Sequence, residues 1–372
     1  MNRRKFISIA GVTTVMAAGG YYWSTDKSNF VRDDILLNTK EKFSFQKDER
    51  EILYLASLAP SGHNTQPWFI KYVEPYHWII GNDKSKWLPG VDPTQRETML
   101  SIGAFLQNLE YAASNLGYSF QCEILAKTNQ DETIAAVKLT KLPAFIKYDT
   151  ALIKLRRTVR SNYLSDVLKP ADVAYVTGKE SRFFYLIPNT AKEFKWLNEQ
   201  TIEANRIQAY RNFAQKELAN WIRFSSQDAQ KHRDGLTLGS MEIEGVPAWV
   251  LRNFYKKEDV MKSNFREQSI DAVKKQVTQS AGWLLITSKD SSPGTLIETG
   301  KRLQRMLLKV RERNIAIHPM TQIIEESAIG KSLNSSIGIS DPIQFILRTG
   351  YVKNYPRPVS LRRPVEWFVR TV

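Results

Sequence analysis

A chain of 372 residues with 42% hydrophobic and 11% aromatic content can fill a substantial core, with room for two domains or one duplicated one. Its formal charge of +15 comes from 53 basic residues interleaved with 38 acidic ones. With no zinc-finger spacing, RNA-recognition signature or basic-aromatic run, that charge reads as a solvated surface and not as a nucleic-acid footprint, while an anionic ligand or membrane surface stays open. The single cysteine, Cys122, excludes an intramolecular disulfide. Four histidines (His63, His77, His232 and His318) without a helical His-x-x-x-His pair predict no metal centre.

In chain order, Asn2-Arg3-Arg4-Lys5-Phe6-Ile7 leads into an uncharged apolar run to Gly20, the grammar of an export signal. The paired arginines look like a twin-arginine signal over residues 1–23, predicting passage through the twin-arginine export machinery to the periplasm. The run is too short to span a bilayer comfortably. Ala18-Gly19-Gly20 is only a loose cleavage site, so both removal and retention as an N-terminal membrane anchor fit. Residues 24–47 read as a linker.

From residue 48 the pattern is α+β. An amphipathic run, Glu51 to Leu58, precedes the polar turn Ala59 to Trp68 and an apolar strand, Phe69 to Val73. Residues 94–116 form a helix with Met99, Ile102, Leu106, Leu109, Ala113 and Leu116 on one face and Gly117 as its left-handed cap. Alternation around Cys122 predicts a strand with a buried, inert thiol, and Ile134 to Leu139 a further strand. Thr190 to Phe224 has long helical periodicity. Ser225 to Gly245, rich in Gly, Ser, Asp and charge, fits a lid over a pocket or a plain surface excursion. A second helix over 296–313 carries Leu303, Met306, Leu307 and Val310 on one face and ends at Asn314, and Ile343 to Leu347 follows as a strand.

The two helices match. Gly103-Ala104-Phe105-Leu106-Gln107-Asn108-Leu109 and Gly300-Lys301-Arg302-Leu303-Gln304-Arg305-Met306 share Gly-x-x-Leu-Gln-x-apolar, and the same offset carries Gly117 onto Asn314. This predicts two α+β repeats, 48–150 and 151–372, the second with a helical or lid insertion at about 190–270.

The turn Ala59-Pro60-Ser61-Gly62-His63-Asn64-Thr65-Gln66-Pro67-Trp68 offers hydroxyl, amide and backbone donors suited to a planar heterocycle, with Gly62 permitting close approach. A capped helix end before a rigid strand start is the plainer reading of the same residues. Ala-Pro-Ser-x-x-Asn-x-Gln-Pro-Trp, however, resembles the signature of the nitroreductase superfamily, and with Asp92-Pro93-Thr94-Gln95-Arg96-Glu97 it looks like the Acg-type FMN-binding branch, over roughly residues 48–372. Arg156-Arg157-Thr158-Val159-Arg160 is similar to that family's Arg-x-Ser-x-Arg, whose cations and hydroxyl hold the FMN phosphate and ribityl chain. Arg362-Arg363-Pro364 is similar to its basic tail. Ile317-His318-Pro319-Met320 stands where the family has a glycine-containing segment beside the flavin ring.

The resemblance implies an α+β, nitroreductase-like fold, internally duplicated as a fused pseudo-dimer. In that family two subunits share each FMN site. Here the Pro60–Trp68 turn belongs to repeat one and the arginines to repeat two, so the chain is expected to be a monomeric pseudo-dimer with one FMN site. The expected cofactor contacts are Pro60, Ser61, Gly62, Asn64, Gln66, Arg156, Thr158, Arg160, His318, Met320, Arg362 and Arg363, with no catalytic side chain because the flavin carries the chemistry. The implied activity is FMN-dependent transfer of electrons or hydride to a nitroaromatic- or quinone-like small molecule from an unspecified electron donor. The alternative is a non-catalytic protein that sequesters FMN behind a lid.

Overall fold

The computed structural model describes residues 45–371 apart from 144 and 146; the export-signal reading of residues 1–23 lies outside them. The first half runs α1 (Lys47–Ser57), β1 (Trp68–Glu74), β2 (His77–Asn82), α2 (Arg96–Asn115), β3 (Tyr118–Ile124) and β4 (Thr133–Lys141). The second begins with α3 (Ala151–Leu155), α4 (Pro170–Thr177) and β5 (Phe184–Pro188). It continues through α5 (Lys192–Tyr210), α6 (Asn212–Trp221), β6 (Ile222–Arg223), α7 (Ser226–His232), β7 (Leu236–Thr237), α8 (Gly245–Phe254) and α9 (Ser263–Thr278). It closes with β8 (Gly282–Thr287), α10 (Pro293–Lys309), β9 (Ile315–Pro319), α11 (Gln322–Glu325), α12 (Ser327–Ile337), β10 (Ile343–Tyr351), α13 (Val365–Phe368) and β11 (Val369–Thr371).

The duplication is visible in the strand order. Repeat one pairs as β1-β2-β4-β3 and repeat two as β5-β8-β10-β9, with every pair within each set antiparallel. In both, the long helix lies between the second and third strands in sequence. The repeats differ at their first connection. A tight turn at Pro75 and Tyr76 joins β1 to β2, whereas α5 through α9 separate β5 from β8.

The helices form where periodicity and capping placed them. Asp92 Oδ2 accepts from the Thr98 amide at 3.0 Å and so satisfies a free donor in the first turn of α2. Gly117, at φ 82°, and Asn314, at φ 50°, turn the chain after each long helix in the left-handed region. The two helices then pack on each other at the shared glycine. A Cβ on Gly103 would lie 2.1 Å from the Ile297 carbonyl oxygen, and one on Gly300 would lie 2.0 Å from that of Leu100. The glycine of the repeated motif is therefore where the two helical backbones touch. Beyond it Gln304 Nε2 donates to Asn108 Oδ1 at 2.7 Å, and Arg305 Nη1 to Gln107 Oε1 at 2.6 Å. One continuous core runs through both repeats, from Trp68, Trp78 and Phe105 to Leu284, Leu303 and Leu347.

The C-terminal tail crosses back. β11 joins β1 in parallel, Ile70 opposite Val369, so repeat two completes the sheet of repeat one. That return carries Arg362 and Arg363 beneath the Pro60–Trp68 turn. One expectation is corrected: Cys122 lies on a strand, but it is exposed. β3 is a sheet edge, and from Gln121 onward its residues emerge beyond the packing that covers Tyr118.

Candidate functional site

The turn after α1 is held in an unfavourable backbone. His63, Asn64 and Gln66 have φ of 48°, 55° and 55°, a region costing on the order of 1–3 kcal/mol for an ordinary side chain. Its restraints are buried and come from far along the chain. Arg362 donates to the carbonyls of Leu58 (3.1 Å) and Ala59 (2.9 Å) and to Asn64 Oδ1 (2.8 Å). Arg156 Nη2 reaches the same Leu58 carbonyl at 3.2 Å. Arg363 holds the carbonyls of Gln66 and Trp68, and its own amide donates to Gln66 Oε1 at 3.0 Å. Asn64 Nδ2 donates to the carbonyls of Gly235 and Leu361, and Gln66 Nε2 to that of Arg233.

Above this clamp lies a cavity of about 330 Å³, within the range of small-molecule sites. Pro60, Ser61, Gly62 and His63 enter its wall from repeat one, and Thr158, Arg160 and His318 from repeat two. Leu100, Ala104, Leu303 and Phe345 supply an apolar face, while Asn205, Gln215 and Ser269 close it from the insertion. Six of the twelve expected contacts thus meet on one wall. The other six do not line it. Asn64, Gln66, Arg156, Arg362 and Arg363 spend polar groups on the backbone around the turn, since amides and guanidiniums withdrawn from water must be paired. Met320 is 2% exposed and packs in a separate core with Trp283 and Ile346.

The cavity is electrically polar. At one end Arg160 Nη1 donates to His318 Nε2, and Arg160 Nε donates to the Ser240 carbonyl at 3.0 Å. Since a guanidinium can only donate, His318 Nε2 must be the unprotonated nitrogen. Burial, then the Arg160 and Arg348 charges, hold the His318 pKa well below the usual histidine range. The ring is therefore neutral with its proton on Nδ1, which has no protein partner. At the other end stand Glu97 and Glu325. Burial, then the Glu97 charge, push the Glu325 pKa well above the usual carboxyl range. Gln208 Nε2 donates to Glu325 Oε2 at 2.7 Å, and Arg96 Nη2 lies 3.4 Å from Glu97 Oε1. His63 stands between the two ends. Its pKa is lowered by burial, with Glu97 opposing and Arg160 reinforcing. Gly62 packs closely on this end: a Cβ there would sit 3.0 Å from Glu97 Oε2.

The segment Ser225 to Gly245 is fastened down. Asp234, 1% exposed, pairs with Arg223 at 2.6 Å and Lys86 at 2.7 Å, and the Gly235 amide donates to the Asn64 carbonyl. Glu242, at φ 58°, accepts from Arg157 Nη2 and the Arg160 amide, both at 3.1 Å, and from the Ser161 hydroxyl. Sequence reasoning missed Glu97, Glu242 and Glu325. Glu97 lies in the Asp92–Glu97 segment that carried part of the resemblance; Glu242 and Glu325 have no local signal, since their partners are 82 and 228 residues away.

No protein-family model matches the chain. Over 330 residues, 85% of this chain and 93% of the relative, it is 23% identical to the Mycobacterium tuberculosis protein provisionally named NAD(P)H nitroreductase acg. It is 21% identical over 338 residues, 86% of this chain and 92% of the relative, to the Serratia protein provisionally named NAD(P)H nitroreductase PigM. A solved structure from Anabaena variabilis, provisionally described as a nitroreductase, superposes with a TM-score of 0.35 at 11% identity, covering 84% of this chain and 90% of that one. The chain is thus similar in sequence, over most of its length, to proteins that carry NAD(P)H nitroreductase names.

Proposed function

We propose that this chain binds one FMN in the cavity between its repeats and acts as an FMN-dependent oxidoreductase of the nitroreductase type. The carrying observation is that Pro60–His63 of repeat one and Thr158, Arg160 and His318 of repeat two line one cavity. That is the composite site expected when both halves of a two-subunit flavin site share a polypeptide. The fit rests on the donor set. Arg160 and the unpartnered Nδ1–H of His318 suit the acceptor-rich edge of a flavin ring, and Leu100, Ala104, Leu303 and Phe345 suit its apolar faces. Arg156 and Arg362, which converge on the Leu58 carbonyl, and Thr158 are the candidates for the phosphate and ribityl chain.

When bound, FMN supplies hydride and single-electron chemistry, with a reduced nicotinamide as the donor suggested by the relatives' names. The protein's part is to orient the ring. Arg160 and the neutral His318 would present donors to one edge, and the clamped turn would fix Ser61 against the cofactor without reorganisation. The insertion walls the cavity from one side and restricts access. That observation favours a second reading, an FMN-holding protein with little turnover. We also carry forward export by the twin-arginine route, with the cofactor loaded before translocation.

The test is the absorbance spectrum of purified protein, release of its chromophore, and steady-state turnover with NAD(P)H and a quinone. One FMN per chain with turnover supports the oxidoreductase. One FMN without turnover, with any donor, favours the holding protein. A colourless chain that does not take up added FMN refutes both.

A further inference from the structure

The acidic end of the cavity is unused by cofactor binding as proposed above. Glu97 comes from the first turn of α2, and Glu325 ends α11, on the far side of the duplication. Both side chains line the cavity, close enough that the Glu97 charge opposes ionisation of Glu325. Gln208 Nε2 donates to Glu325 Oε2 at 2.7 Å, and the Thr321 hydroxyl donates to Glu97 Oε1 at 3.4 Å. Other charged groups face the two acids. Arg96 Nη2 lies 3.4 Å from Glu97 Oε1. Asp92 and His63 also face Glu97. Glu326, next to Glu325, is already paired with Arg211 at 2.5 Å. Glu325 is thus left as the neutral acid, and burial holds it so.

Two further polar groups lining the same cavity point to a ligand. His318, 5% exposed, leaves Nδ1 without a protein partner, and Gln322 Oε1, beside the acids, is likewise unmatched.

We propose that Glu325, which lines this cavity together with Glu97, is the catalytic acid that protonates the electron acceptor reduced there. The inference rests on the flavin reading above and adds to it a proton donor on the protein. In the quinone case the acceptor gains two electrons and one proton as a hydride equivalent from reduced flavin, and its second proton from Glu325. The carboxylate left behind is reprotonated from water. Atoms and charge balance, and the product is the hydroquinone.

The experiment compares the full-length flavoprotein with Glu325→Gln and Glu97→Gln. Each is first scored for FMN content and for the infrared carbonyl stretch of a protonated carboxyl, without turnover. Reduced protein is then mixed rapidly with benzoquinone, or with ferricyanide, which takes electrons and no proton. Glu325→Gln is expected to remove one component of the protonated-carboxyl band and leave that of Asp92, keep FMN, slow benzoquinone reduction by about 100-fold, the lower end for a general acid, and leave the ferricyanide rate unchanged. Glu97→Gln, which removes the carboxyl beside Glu325, is expected to move the falling limb of the benzoquinone pH profile to lower pH; this variant also decides the matter should Glu325→Gln fail to fold. An unchanged benzoquinone rate, or equal slowing with both acceptors, overturns the proposal while the flavin reading stands. Wild-type protein that retains no FMN overturns the flavin reading and this one with it, even with the carboxyl band present.

Discussion

Replacing Gly103 with alanine puts a methyl group where two helical backbones already touch. The added Cβ would lie 2.1 Å from the Ile297 carbonyl oxygen and 3.0 Å from the Gly300 Cα, so α2 and α10 must part by roughly 1 Å to restore van der Waals contact. Alanine gains about 1 kcal/mol of helix propensity over glycine. Forcing apart a packed core costs about 3 kcal/mol at the upper end of overpacking effects, which applies here because the obstacle is backbone. The expected net loss is about 2 kcal/mol. Gly300→Ala should behave alike, its Cβ falling 2.0 Å from the Leu100 carbonyl oxygen. The double variant should lose less than the two single losses combined, because one separation relieves both clashes. Gly294→Ala is the control: it lies in α10 with nothing within 4 Å and should be neutral or slightly stabilising. Urea unfolding of the four proteins reads these values directly. Since Leu100, Ala104 and Leu303 line the cavity, Gly103→Ala should also retain less FMN. If Gly103→Ala and Gly300→Ala are as stable as Gly294→Ala, the repeated glycine is not the packing point and the argument fails.

Burial, then the Glu97 charge, push the Asp92 pKa up to about 7 from its ordinary 3.8. A raised folded-state pKa means that the stability it contributes is full below about 3.8 and is lost as pH rises through about 7, a few kcal/mol at most. Melting temperature should fall across that window in the wild type and less in Asp92→Asn. Arg362→Ala removes a buried cation from the Leu58, Ala59 and Leu361 carbonyls and Asn64 Oδ1 and should cost on the order of 3 kcal/mol; limited proteolysis should then cut near Gly62, and an uncut, equally stable variant would show that the turn holds itself. Arg160→Ala should weaken FMN by about 1.5–3 kcal/mol, the value of a charge-assisted contact, as measured by quenching of flavin fluorescence; undiminished affinity would remove Arg160 from the site. Replacing Arg3 and Arg4 together by lysine should block export of the full chain, as followed by cell fractionation, if the twin-arginine reading holds.

Much of the fold follows from short-range rules. Helices α2 and α10 were legible because Leu106 and Leu303 recur with their neighbours at helical spacing, and because Gly117 and Asn314 tolerate the left-handed turn. Strands β1, β4 and β10 were legible as apolar runs, and the Gly-x-x-Leu-Gln repeat exposed the duplication before any coordinates. The turn at Pro60–Trp68 and the arginines at 156–160 were legible as chemistry.

What those side chains touch was not. Gln66, Arg362 and Arg363 look in sequence like ligand contacts, yet the return of the tail along β1 buries them among backbone carbonyls. Once buried they must satisfy those groups first. Glu97 and Glu325 carry no mutual signal across 228 residues, and only folding brings both to one cavity. The sequence alone determined the elements, their repetition and the residue types available for a flavin, because propensity and periodicity act within a few turns of chain. The tertiary structure decided which polar groups face the cavity and which carboxyl keeps its proton, because desolvation and hydrogen-bond pairing depend on neighbours that only folding supplies.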